Sequence, residues 1–157
     1  MVTDANLSAM TDTHGAHAPT TALDDAALDA LRATTAGTLI ERMGITLDDV
    51  GPGRVAGSMP VAGNTQPAGL LHGGASVVLA ETLGSIAAQV HAGEGRAAVG
   101  IEINATHHRG VRSGRVHGVA TALHLGRTTA SYEIVVVDDQ DRRVCTARLT
   151  CMVLDGR

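Results

Sequence analysis

The chain has 157 residues, 44% of them hydrophobic and 18% charged, which is the size and composition of one globular domain. All twelve basic residues are arginine, the one aromatic residue is Tyr132, and the net charge is −4. Lysine-dependent Schiff-base and P-loop chemistry are therefore excluded, and nucleic-acid binding by base stacking on a basic face is not expected.

No uncharged apolar run of about 18 residues occurs, and no basic segment leads into an apolar stretch, so neither a membrane span nor a signal peptide is expected and the cytoplasm is the expected compartment. Residues 1–20, rich in Thr, Ala, Asp and His, show neither a helical nor a strand period and read as a disordered leader ahead of a single domain over 21–157. His14 and His17 lie there without further ligand residues, so no metal site is expected. The first 53 residues hold eight acids and two arginines, and the rest hold eight acids and ten arginines, an acidic tail on a mildly basic body.

From Thr21 the pattern turns helical: Thr21 and Asp24 have capping-box spacing, and Leu23, Ala27, Ala30 and Leu31 recur at helical intervals, which predicts a surface helix that can run on through Leu39 to Met43 before Gly44. Residues 54–61 alternate as a strand does, and Gly63, Asn64, Pro67 and Gly69 mark a loop. From His72 to His91 apolar residues point in every helical direction, predicting a helix roughly 30 Å long that must be enclosed. Strands are predicted over 97–109, 114–124, 127–138 and 142–154, joined as antiparallel hairpins. Cys145 and Cys151 fall on one face of the last strand, too far apart to bridge, and read as small core residues. One long buried helix with about five antiparallel strands is an α+β layout in which the sheet wraps around the helix.

Residues 55–93 contain one Asp, Glu, Lys or Arg, namely Glu81, where the overall composition would place about seven. A carboxylate in the middle of an enclosed helix is costly to desolvate. Either it reaches solvent or an arginine from a later strand, or it is a catalytic nucleophile or general base. The helix opens with His72-Gly73-Gly74, so unshielded backbone N–H groups and the positive end of the dipole are available to polarise a carbonyl and hold an oxyanion. Glu81 lies two turns on, roughly 12 Å along the axis from Gly73. If both groups act on one carbonyl, the carboxylate must come from a neighbouring subunit.

Other hydrolytic devices are missing: there is no G-x-S-x-G elbow and no H-E-x-x-H, and His107 and His108 project to opposite faces if extended. Arg109, Arg112, Arg115 and Arg127 fall at strand ends and turns, where guanidinium forks suit a phosphorylated nucleotide or simply charge the sheet edges. His117 alternates with apolar neighbours and reads as a core or interface residue.

The run Gln66-Pro67-Ala68-Gly69-Leu70-Leu71-His72-Gly73-Gly74-Ala75-Ser76, then Leu79-Ala80-Glu81-Thr82-Leu83-Gly84-Ser85, resembles the signature of PaaI-type hotdog-fold thioesterases. The similar branch contains 1,4-dihydroxy-2-naphthoyl-CoA hydrolase, the enterobactin-pathway proofreading thioesterase and the Arthrobacter-type 4-hydroxybenzoyl-CoA thioesterase. Val99 to Arg109 and His124 to Arg127 extend the resemblance over about residues 36 to 154. It implies a hotdog fold, with Glu81 as the catalytic carboxylate and the Gly73 N–H polarising the thioester carbonyl. Gln66 and His72 would flank that carbonyl, and Ser85 would assist hydrolysis. Gly100, His107, His108, Arg109 and Gly110, with His124, Leu125, Gly126, Arg127, Thr128 and Thr129, would line a coenzyme A groove. Some family members have Pro where this chain has Gly110.

The activity implied is hydrolysis, without metal or cofactor, of an aromatic or hydroxyaromatic acyl-CoA such as 1,4-dihydroxy-2-naphthoyl-CoA. The alternatives are proofreading of misacylated aryl or acyl carrier protein, and a non-catalytic acyl-CoA-binding module. A homo-oligomer with sites at the subunit boundary, a tetramer in this branch, is implied as well.

Overall fold

The computed structural model describes residues 23–51 and 53–155; the expected leader over 1–20 and the predicted Thr21 cap lie outside the described residues. Helix α1 spans Asp25–Ala33, and its cap is Asp24, whose carboxylate accepts the Ala27 N–H at 2.8 Å. The helix thus starts later than the Thr21 spacing predicts, because Asp24 is itself a strong capping residue. It does not run on to Met43. The Thr34 and Thr35 hydroxyls fold back onto the Leu31 and Arg32 carbonyls at 2.7 Å, Gly37 takes φ +73°, and one separate turn, α2, covers Leu39–Arg42.

Strand β1, Thr46–Val50, was not expected from the sequence, since its Thr-Leu-Asp-Asp-Val run does not alternate. A bulge between Leu47 and Asp49 explains it, because the register shift lets Leu47 and Val50, three apart, both point inward at 2% and 1% exposure. Its acids are tolerated because β1 is an edge strand.

The remaining elements follow the predicted order: β2 Arg54–Pro60, α3 Gly73–Ala92, β3 Arg96–His107, β4 Arg115–Leu125, β5 Thr129–Asp138 and β6 Arg143–Asp155. The sheet has six strands rather than about five, all paired antiparallel in the order β1-β2-β4-β5-β6-β3. The core lies where this sheet meets α3. Cys145 and Cys151 are free and fully buried within it, and burial raises both thiol pKa values.

The sheet covers only one side of α3. Ala75, Ser76, Leu79, Ala80, Leu83, Gly84, Ala87 and Ala88 form the buried stripe. Contact there is close enough that a Cβ at Gly84 would come within 2.6 Å of Leu149 Cδ2, and one at Gly118 within 2.7 Å of Leu83 Cδ1. The opposite side, with Val77, Val78, Glu81, Thr82, Ser85 and Ile86, stays half-exposed, so the expectation that a single sheet encloses the helix on every side is corrected. A half-wrapped apolar helix has surface to bury against something else.

Candidate active site

The loop between β2 and α3 is shaped by its own backbone bonds. Gln66 N–H donates to the Leu70 carbonyl at 2.8 Å and Gly69 N–H to the Gln66 carbonyl at 2.9 Å, with Gly69 at φ +72°, a conformation glycine adopts without a Cβ clash. Asn64, which sequence reasoning passed over as a turn residue, pins the loop: its amide donates to the Met43 and Pro60 carbonyls at 2.9 Å, and its own carbonyl accepts the His72 N–H. No local signal separates such an asparagine from any other turn residue.

The first turn of α3 disposes of its amides in a specific way. Gly74 N–H donates to His72 Nδ1 at 2.9 Å, and the Ala75 and Ser76 N–H groups reach the His72 carbonyl at 2.9 and 3.3 Å. Gly73 N–H alone among these four has no partner among the described residues. His72 therefore acts as the helix cap, its Nδ1 accepting and its Nε2 carrying the proton of the neutral ring.

The Gly73 end opens on a cleft of about 350 Å³ lined by Gln66, Leu70, Gly73, His107, Arg109 and Gly110, with Ser76 and His108 also in its wall. His107 packs directly on the helix start; a Cβ at Gly73 would stand 2.9 Å from its Nε2. The His108 ring instead meets the Thr146 hydroxyl at 3.0 Å, so the two histidines diverge as an extended strand end requires. The Arg109 guanidinium is exposed and has no ion-pair partner among the described residues.

Glu81 lies elsewhere on the helix, midway along the half-exposed side, and no arginine pairs with it among the described residues. It rests on Gly100, where a Cβ would stand 2.5 Å from Glu81 Oε1. Directly after Gly100 the β3–β6 register shifts, a bulge of the kind that re-aims side chains beside functional sites. Behind Glu81 the Cys151 thiol pKa is raised, chiefly by burial and further by the Glu81 charge, while a hydrogen bond with Ser85 opposes the shift. Glu81, Ser85 and Gly100 thus form one group.

The third predicted group sits at the far end of α3. There His91 Nε2 meets the Gly126 carbonyl at 2.9 Å, Arg96 donates to the Arg127 carbonyl at 2.7 Å, Val153 N–H to that of Thr128 at 2.9 Å, and Gly126 N–H to that of Thr129 at 2.9 Å. The His124 ring folds over Gly126. Within one chain, then, Gln66 and Gly73 meet His107 to Gly110 around one cleft and His72 caps the helix that starts there, whereas Glu81 with Ser85 and Gly100, and His124 to Thr129, stand apart along the helix.

Two other expectations change. Arg115 is committed to the Ser58 hydroxyl at 3.0 Å and that of Thr46 at 3.3 Å, so it braces β1, β2 and β4 rather than facing a nucleotide. His117 is not a core residue: its Nε2 lies 3.0 Å from the exposed Asp139 carboxylate.

Comparison with known proteins agrees with this layout. Residues 68–145 match the family model described as the thioesterase superfamily. The chain is 50% identical over 128 residues to the proofreading thioesterase EntH of Cronobacter sakazakii, covering 81% of this chain and 93% of that protein. Among solved structures, a glutamine-to-alanine mutant of thioesterase PA1618 from Pseudomonas aeruginosa superposes with a TM-score of 0.78 at 44% identity, covering 82% of this chain and 94% of its own. Thioesterase HI1161 from Haemophilus influenzae gives a TM-score of 0.78 at 38% identity, with 82% and 90% covered. A sheet laid on one long helix, an unbonded amide at that helix's start and identity at this level lead to one assignment: the chain belongs to the thioesterase superfamily, as a thioester hydrolase of the hotdog fold.

Proposed function

We propose that the chain hydrolyses aromatic or hydroxyaromatic acyl thioesters at a site shared between two copies of itself, with the Gly73 N–H of one copy and Glu81 of the other acting on a single carbonyl. The observation that carries this reading is the separation on α3: Gly73 and Glu81 are eight residues apart, about 12 Å along the axis, so one helix does not serve one carbonyl with both. A second helix laid antiparallel against the half-exposed side would bring its own start opposite Glu81. The same arrangement would set the arginine-bearing segments, at Arg109 of one chain and Arg127 of the other, along one pantetheine and phosphate path.

In the reaction, Glu81 attacks the thioester carbon or takes a proton from the attacking water. The carbonyl oxygen gathers negative charge against the Gly73 N–H, and the thiolate leaves and is protonated. Gln66 and the Nε2–H of His72 would orient the carbonyl or the water, and Ser85 would serve the hydrolytic step. No metal or cofactor has a part in these steps, a cytoplasmic enzyme is expected, and the assembly is a dimer or a pair of dimers.

Two inactive variants test the shared site. Glu81→Ala and Gly73→Ala homo-oligomers, dissociated and reassembled together, should regain up to about a quarter of wild-type thiol release, because half the chains in mixed pairs rebuild one intact site. No recovery would place both groups within one chain's site and end the proposal.

The identity of half the aligned residues with a proofreading thioesterase favours misacylated carrier protein over CoA as the bearer of the thioester. No comparable observation favours a 1,4-dihydroxy-2-naphthoyl group over other aryl groups. Comparison of kcat/KM on benzoyl-CoA and on benzoylated aryl carrier protein decides the bearer, and a ratio in favour of CoA would return the reading to an acyl-CoA hydrolase.

A further inference from the structure

Three polar side chains are buried among the described residues: Ser58, Ser76 and Asp138. The Ser58 hydroxyl is held by Thr46 and Arg115, and the Asp138 carboxylate takes the Arg142 side chain and the Gln140 amide. Ser76, 2% exposed as a residue, lines the cleft at Gly73 and has no side-chain hydrogen bond among the described residues; because no fully buried side-chain nitrogen or oxygen there lacks a partner, its oxygen keeps open surface. A hydroxyl on so buried a residue usually bonds within the protein, and one left open instead calls for a reason. The usual outlet for a serine inside a helix is the carbonyl four residues back. Here that is the His72 carbonyl, already occupied by the Ala75 and Ser76 N–H groups.

The hydroxyl does nothing for the helix that carries it. Alanine is a better helix former than serine. Ser76 is also three residues beyond Gly73, which sets both on the same side of α3. Gly73 N–H and Ser76 Oγ–H are thus two donors without partners among the described residues, on residues that line one cavity.

We propose that the Ser76 hydroxyl is a second hydrogen-bond donor to the thioester carbonyl, beside the Gly73 N–H. This rests on the reading above that the cleft at Gly73 receives that carbonyl. The proton stays on Oγ throughout. Ser76 is not a nucleophile, since no histidine bonds to it and the nearest cap ring spends its Nδ1 on Gly74. Its bond strengthens as negative charge builds on the oxygen, so it acts on kcat more than on KM.

The test is Ser76→Ala, with Glu81→Ala as control. Ser76→Ala should melt at the same temperature as the parent or higher, while kcat falls on the order of 10- to 100-fold and KM changes less than about threefold. A pair of ligands reads the hydrogen bond itself: a benzoyl ketone in which CH2 replaces the thioester sulfur of benzoyl-CoA, and S-benzyl-CoA, which has CH2 in place of the carbonyl. Ser76→Ala should bind the ketone about 5- to 10-fold more weakly than the parent does and S-benzyl-CoA within about twofold. Equal weakening of both ligands, a kcat within twofold of the parent, or a lowered melting temperature that accounts for the lost activity would each overturn the proposal. Should Glu81→Ala retain full turnover, the failure would lie with the catalytic reading instead.

Discussion

Leu79 and Leu83 on one side of α3 are fully buried against the sheet, while Glu81, between them in sequence and about 160 degrees round the helix from each, lies half-exposed against a glycine with no cation paired to it among the described residues. Ser76 apart, the first side obeys packing. Its residues are small or branched, and its glycines exist so that helix and sheet can touch. The second side carries polar groups that packing does not ask for, and its one close glycine contact, at Gly100, is made with the carboxylate itself. The packed core and Glu81 therefore lie on opposite sides of one helix, which lets each be altered without the other.

The largest expected effect breaks that division from the chemical side. Glu81→Ala should lower kcat by about 100- to 10,000-fold in a thiol-release assay while the urea midpoint stays within experimental scatter of the parent. Leu83→Ala is its mirror image: about 2–5 kcal/mol of stability lost by chemical denaturation, with turnover per folded molecule largely kept.

Two glycine substitutions sharpen the comparison further. At Gly84 a Cβ meets Leu149 within the core, so Gly84→Ala should cost about 1–3 kcal/mol. At Gly100 the same Cβ collides with Glu81 Oε1, the end of a flexible chain, and stands at an ordinary 3.6 Å from Leu149 Cδ1, so Gly100→Ala should displace the carboxylate and reduce kcat with little change in the melting temperature.

The smallest effect lies away from α3, at the β5–β6 turn. There the Arg142 side chain, with help from the Gln140 and Arg142 amides, lowers the Asp138 carboxyl from 3.8 to about 2. Because the folded value is the depressed one, its stabilising contribution is present above about pH 4 and is lost as pH falls towards 2. Urea midpoints measured from pH 5 down to 2 should fall less steeply in Asp138→Asn than in the parent.

Much of this molecule was legible because its signals are local. A twenty-residue apolar helix, a charge-free stretch around a single Glu81 and four alternating strands need only periodicity and composition to be seen, and α3 with β3 to β6 lies within two residues of the expected bounds. The helix start at Gly73 was legible for the same reason, since a glycine pair opening a helix exposes its amides wherever the helix is placed, whereas Gln66 entered only through the family resemblance. Strand β1 escaped because a bulge replaced alternation with a spacing of three. The broken helix after Ala33 escaped because the threonine hydroxyls compete for its last carbonyls.

The sequence alone determined where an isolated acid and a glycine-opened helix start fall: Glu81, without charged neighbours for a dozen residues on either side, and the amides ahead of it. Tertiary structure alone decided which of them meet. It set Gly100 beneath Glu81 through the β3–β6 register, sent His107 to Gly110 and His124 to Thr129 to opposite ends of α3, and left Ser76 in the cleft wall with no side-chain partner among the described residues. The reason is that spacing along a chain records only the local period. Which strand crosses which helix residue is set by bulges, by hydrogen-bond register and by the side of the helix the core claims.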